Sequence, residues 1–124
     1  MKLHLYLPLA LVGIALTAGP RAGLAHAFLE RAEPAVGSQV TARPRQIKIW
    51  FTEGLEASLC RLQVFSAAKQ EVDQRDCRVD PQNPTELEVS LSPILPPGTY
   101  EVVWKVVSVD THMTTGKFTF TVRK

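Results

Sequence analysis

From Phe28 onward the apolar residues recur at every second position, the period of a strand with one face buried rather than the 3.6-residue period of a helix. Ile47, Ile49 and Phe51 alternate with Lys48 and Trp50, and Cys60, Leu62 and Val64 alternate with Arg61 and Gln63. Leu87, Val89 and Leu91 alternate with Glu88 and Ser90. Tyr100, Val102, Trp104 and Val106 fall on one face of a long segment, and Phe118, Phe120 and Val122 on one face of another. Turn chemistry separates these runs at Pro34-Ala35-Val36-Gly37, Pro81-Gln82-Asn83-Pro84 and Pro96-Pro97-Gly98. With Phe28–Ala32 and a weak segment near Glu71–Val72, about seven short strands are expected. The fold class this predicts is all-β, a small antiparallel sandwich or Greek-key barrel.

The first 25 residues follow a different rule. Met1-Lys2 gives a positive start, Leu3 to Leu16 is almost entirely apolar, and small residues lead to Gly23-Leu24-Ala25. That is the layout of a secretory signal peptide, with an apolar run too short to span the ~20 residues of a bilayer. Residues 1–25 are therefore read as an export signal and residues 26–124 as one domain, placed in a bacterial periplasm. Cleavage after Ala25 starts the mature chain at His26. Ala25-His26-Ala27 satisfies the same small-x-small rule and would start it at Phe28.

Removing Lys2 and Arg21 leaves twelve basic against twelve acidic residues, so the formal charge falls from +2 to zero. A neutral domain without a basic stripe does not suit nucleic acid. The domain is expected to act as a monomer.

Cys60 and Cys77 are the two cysteines. In an oxidising compartment the first reading is a Cys60–Cys77 disulfide, which would close a loop and constrain the unfolded chain by about 3 kcal/mol. A thiolate copper or redox site is the second reading, and a pair of buried free thiols the third.

Three histidines are present: His4 in the signal segment, His26 at the expected mature N-terminus, and His112 in Ser108-Val109-Asp110-Thr111-His112. An N-terminal histidine offers two nitrogens, because its α-amine and imidazole Nδ1 close a six-membered chelate ring on one metal. On an extended segment, Asp110 and His112 would share a face about 7 Å apart. One amine, two imidazoles and one carboxylate form an N3O set that suits tetragonal Cu(II), the divalent ion heading the affinity order. Zinc competes, with a tetrahedral preference.

The segments that carry this chemistry also carry a resemblance. His26-Ala27-Phe28-Leu29 followed by Ala32-Glu33-Pro34-Ala35-Val36-Gly37-Ser38 resembles the opening of the CopC family of periplasmic copper-binding proteins. Pro97-Gly98-Thr99-Tyr100, Val103-Trp104-Lys105-Val106-Val107-Ser108-Val109-Asp110-Thr111-His112 and the closing Gly116-Lys117-Phe118-Thr119-Phe120-Thr121-Val122 resemble its C-terminal half. The resemblance implies a seven-stranded, immunoglobulin-like Greek-key barrel. It also implies a Cu(II) site on His26, Asp110 and His112, with Glu53 orienting the N-terminal histidine. It implies, further, a role in copper resistance or homeostasis without catalysis, with delivery to an inner-membrane importer of the CopD type. Two departures stand out. The family's Asp-Gly-His-Pro segment reads Asp110-Thr111-His112-Met113 here. The Met-rich loop with which some relatives bind Cu(I) has no counterpart, since Met113 is the single methionine after the signal segment. Met113 is read as a packing residue, with weak axial donation as the alternative.

Two other functions compete. A small copper monooxygenase could use the same N-terminal histidine brace, but Asp110 would fill a position that oxygen activation needs open. An exported sandwich acting only as an interaction module follows if His26 is lost.

Overall fold

A computed structural model describes residues 27–124. The expected export signal, residues 1–25, and His26 lie outside the described residues. Eight strands pack as two four-stranded sheets. The first sheet has the order β1 (Leu29–Glu33), β3 (Gln46–Phe51), β6 (Asn83–Ser90), β5 (Arg78–Asp80). The second has the order β2 (Gln39–Val40), β8 (Met113–Val122), β7 (Gly98–Val107), β4 (Arg61–Phe65). Every pairing is antiparallel except that of β2 with β8. No helix of the described residues is long and apolar enough to cross a membrane.

The alternating positions are the core. Ile47, Ile49 and Phe51 from β3, with Leu87 and Val89 from β6, face Leu62, Val64, Val102, Val106 and Phe120 of the other sheet, all essentially buried. Two aromatic contacts anchor the packing. Phe51 of one sheet meets Trp104 of the other edge-on, with ring centroids 5.0 Å apart, and Tyr100 stacks on Phe120 at 5.5 Å. Edge and offset arrangements match the quadrupoles of the rings. On the outer surface the Arg31 guanidinium lies 3.8 Å above the Trp50 ring, so the polar register of β1 also has a partner.

Two strands depart from the expected set. Glu71–Val72 is not a strand: Glu71 makes one isolated bridge to Phe65. Arg78–Asp80 and Gln39–Val40 are strands instead, which raises the count from seven to eight. Both are too short to show periodicity, and their pairing is supplied by neighbours. β2 is fixed where Gly37, with φ of +70°, turns the chain so that its N–H reaches the Thr119 carbonyl at 2.7 Å.

Candidate metal centre

β7 and β8 form the longest ladder, running from Gly98 opposite Val122 to Val107 opposite Met113. Their connection, Ser108 to His112, is the segment that sequence spacing singled out. It is a tight turn rather than an extended run. Thr111 N–H donates to the Ser108 carbonyl at 2.8 Å and Ser108 N–H to the His112 carbonyl at 3.0 Å. The expectation of side chains about 7 Å apart on one strand face is thereby corrected. The turn folds Asp110 back on His112, with Oδ2 and Nδ1 3.3 Å apart. Both side chains remain a third or more exposed, although the His112 Nδ1 that faces Asp110 is itself covered.

Ser108 organises this turn, and its role was not expected. It is fully buried. Its hydroxyl donates to Asp110 Oδ1 and accepts the His112 backbone N–H at 3.3 Å. The Ser108 hydroxyl, and then His112, hold the Asp110 carboxyl below the ordinary carboxylate range, so it is an anion ready to ligate. The available clue was local: a Ser two residues before an Asp is the spacing of side chains that bond within one turn. Ser108→Ala is expected to destabilise the fold by about 1–3 kcal/mol, because buried backbone groups of the turn lose their partner. It should also weaken metal binding roughly 10–100-fold by freeing Asp110. Chemical denaturation and a chelator competition on the same variant measure the two effects.

Thr111 sits at φ of +70°, a left-handed conformation that a β-branched residue adopts only with strain. This is the position where the resemblance led one to expect glycine. Thr111→Gly is expected to raise stability by about 0.5–1 kcal/mol, the relieved strain being partly offset by the larger entropy of an unfolded glycine. A rise in midpoint denaturant concentration at constant slope would show it.

The turn is fastened to the rest of this end of the sandwich. Val109 N–H donates to the Gly54 carbonyl at 3.0 Å, and Leu55 bridges Ser108. Glu53, half-buried, is therefore in the bend that abuts the turn. The Ala27 carbonyl accepts the Thr114 hydroxyl at 2.9 Å, and Phe28 N–H donates to Thr52 Oγ1 at 2.9 Å. The described chain thus begins two residues along β8 from His112, with Ala27 fully buried. Met113 is more than half exposed and does not pack as expected, because the turn ends just before it and β8 starts with its side chain outward.

The two cysteines are free thiols, in place of the expected disulfide. Cys60 follows a short 3-10 turn, Ala57–Leu59, and points its sulfur at the Val107 carbonyl, 3.8 Å away. Cys77 lies just before β5. Burial pushes both thiols up, Cys77 to about 11, and the proximity of Cys60 contributes to the shift of Cys77. One further cluster of donor groups, Asp80, Glu86 and Glu88, lies on the first sheet. Lys48 at 3.8 Å from Glu86 and Arg78 at 3.1 Å from Glu88 already neutralise part of its charge.

Comparison with known proteins identifies the fold and the family. The family model of the CopC domain matches residues 29–123. Protein YobA of Escherichia coli K12 is 38% identical over 99 residues, covering 80% of each chain. Copper resistance protein C of Escherichia coli is 31% identical over 106 residues, 81% of this chain and 83% of that one. Among solved structures, CopC from Methylosinus trichosporium OB3b superposes with a TM-score of 0.73 at 31% identity, covering 79% of this chain and 94% of that one. PcoC from Escherichia coli, described as a methionine-rich copper resistance protein, gives 0.68 at 32% identity, covering 80% and 100%. A family model that spans residues 29–123 and a fold-wide match at this identity establish that the chain belongs to the CopC family.

Proposed function

We propose that this protein is an exported, non-enzymatic Cu(II) carrier of the periplasm, which binds one ion through the His26 amine and imidazole, Asp110 and His112. Membership of a family whose named relatives serve copper resistance and copper transport gives it a copper-related function. The observation that carries the finer reading is the Asp110–His112 pair. Its 3.3 Å spacing is close to the roughly 2.8–3.3 Å between two ligand atoms that sit side by side at metal bonds of about 2 Å. Ala27, the residue after His26, is held by Thr114 at the same end of the sandwich, which supports an N-terminal contribution. Glu53, in the bend against the turn, is the residue proposed to orient His26.

A carrier must hold its ion against water and protons yet release it to a recipient. A turn at the rim of the sandwich meets both needs, since it can adjust around the ion without unfolding the core. The proposed recipient is an inner-membrane importer of the CopD type. Intact mass of the exported protein, followed by Cu(II) titration and electron paramagnetic resonance, tests the reading. The expected result is a chain starting at His26 that binds one Cu(II) with nitrogen coupling in a tetragonal spectrum. A chain starting at Phe28, or a spectrum without nitrogen coupling, overturns it.

A further inference from the structure

Cys60 and Cys77 come from different sheets. Cys60 enters β4, the edge of the second sheet, and Cys77 enters β5, the edge of the first. Both line one open groove of about 340 Å³, together with Leu62, Glu71, Asp73 and Arg75. Each cysteine is held on a fixed arm. The 3-10 turn and the Val107 carbonyl set Cys60. Asp76 sets Cys77: one of its oxygens accepts Ser90 N–H at 2.8 Å and the other accepts Arg78 Nη1 at 3.1 Å.

The remaining donors of the groove are already engaged. Asp73 accepts the Val64 N–H at 2.8 Å through one oxygen and the Arg75 N–H at 3.1 Å through the other. Glu71 accepts Gln63 Nε2 at 3.4 Å and pairs with Arg75 Nη2 at 3.2 Å. The groove therefore offers two sulfurs beside carboxylates already held by other donors. A pair of sulfurs on its own falls short of the four-ligand shell that zinc requires. It does suit a soft, monovalent d¹⁰ cation, which thiolates select.

We propose that Cys60 and Cys77 form a second metal site, a two-sulfur site for Cu(I), separate from the Asp110–His112 turn. Binding replaces two S–H protons with two S–Cu bonds and releases both protons to solvent, with no change in oxidation state. The cation then ties the β4 edge of one sheet to the β5 edge of the other, so occupancy stiffens the sandwich at that side.

The test uses the fully reduced exported protein under nitrogen, with Cu(I) supplied as its bicinchoninate complex. The wild type should withdraw one Cu(I), and Cys60→Ser and Cys77→Ser should each hold it at least 100-fold more weakly, because a two-ligand site does not survive loss of either. His112→Ala should lose Cu(II) binding and keep Cu(I), which separates failure of this site from failure of the proposed Cu(II) site. X-ray absorption of the Cu(I)-loaded wild type should show sulfur neighbours alone, a readout that stands if a serine variant fails to fold. Nitrogen or oxygen neighbours, or equal Cu(I) uptake by the wild type and the double serine variant, would overturn the proposal. So would exported protein whose thiols, trapped by alkylation without reductant, are already joined in a disulfide.

Discussion

One alanine added ahead of His26 should reduce Cu(II) affinity by at least about 100-fold, as much as His112→Ala, although it removes no side chain. The amine and imidazole of a terminal histidine chelate through one six-membered ring. An added residue turns that amine into a peptide nitrogen whose lone pair is delocalised into the carbonyl, so the neutral amine donor and its chelate ring are lost together. His112→Ala removes one nitrogen from the turn and leaves Asp110 facing space. Losses of supporting contacts alone are worth about 10–100-fold, so loss of a ligand sets a higher floor. Asp110→Asn should cost less, since all three nitrogens stay. Every nitrogen must be unprotonated to bind, and ordinary values are about 6.5 for imidazole and about 8 for an α-amine. Protons therefore compete on the acid side. Affinity should be greatest above pH 8 and fall as pH drops through 6.5, more steeply for the wild type than for the extended chain, which has one fewer proton to displace. Competition against a Cu(II) chelator across that range measures both. Unchanged affinity in the extended variant would remove the amine from the ligand set.

The periodic strands were legible because each long strand buries one face, and alternation is how burial writes itself into sequence. Phe118, Phe120 and Val122 are the clearest instance, every one of them buried as expected. Arg78–Asp80 left no such trace. All three of its residues are half-buried, and the strand exists because Arg78 and Val79 pair with Glu88 and Leu87 of β6. The site was legible as a set of residue types and not as a shape. Asp110 and His112 were singled out from donor chemistry, but their contact depends on a turn closed by the buried Ser108 hydroxyl and a left-handed Thr111. Neither shows in hydrophobic patterning. The cysteines teach a similar point. Oxidising export makes a disulfide the first expectation, whereas the structure keeps both as free thiols. That choice is made by tertiary geometry, which two positions in a sequence do not encode.

Gly116→Val should strongly destabilise the fold, at a position away from the Asp110–His112 turn. Gly116 lies directly across from Trp104 in the β7–β8 ladder. A Cβ at Gly116 would meet the indole ring at 2.3 Å from Cζ2 and 2.6 Å from Cε2, well inside contact distance. The ring has nowhere to go, because its inner side is packed edge-on against Phe51 at 5.0 Å. Backbone preference alone predicts the opposite sign, since replacing glycine in a strand interior ordinarily gains about 0.5–1 kcal/mol. Overpacking costs about 1–3 kcal/mol for added methylenes in a filled core, and it wins here because the obstacle is a rigid ring rather than the end of a flexible chain. About 3 kcal/mol is expected for valine and less for alanine, against a total of about 5–15 kcal/mol for a domain. At roughly 4–8 °C per kcal/mol for a domain near this size, the valine variant should melt about 12–24 °C lower. Trp104→Leu combined with Gly116→Val should cost less than the two separate losses added together, because Trp104→Leu removes the ring that the valine strikes. Strict additivity in that cycle, or a valine variant within 0.5 kcal/mol of the wild type, would show that the ring yields more easily than its contact with Phe51 implies.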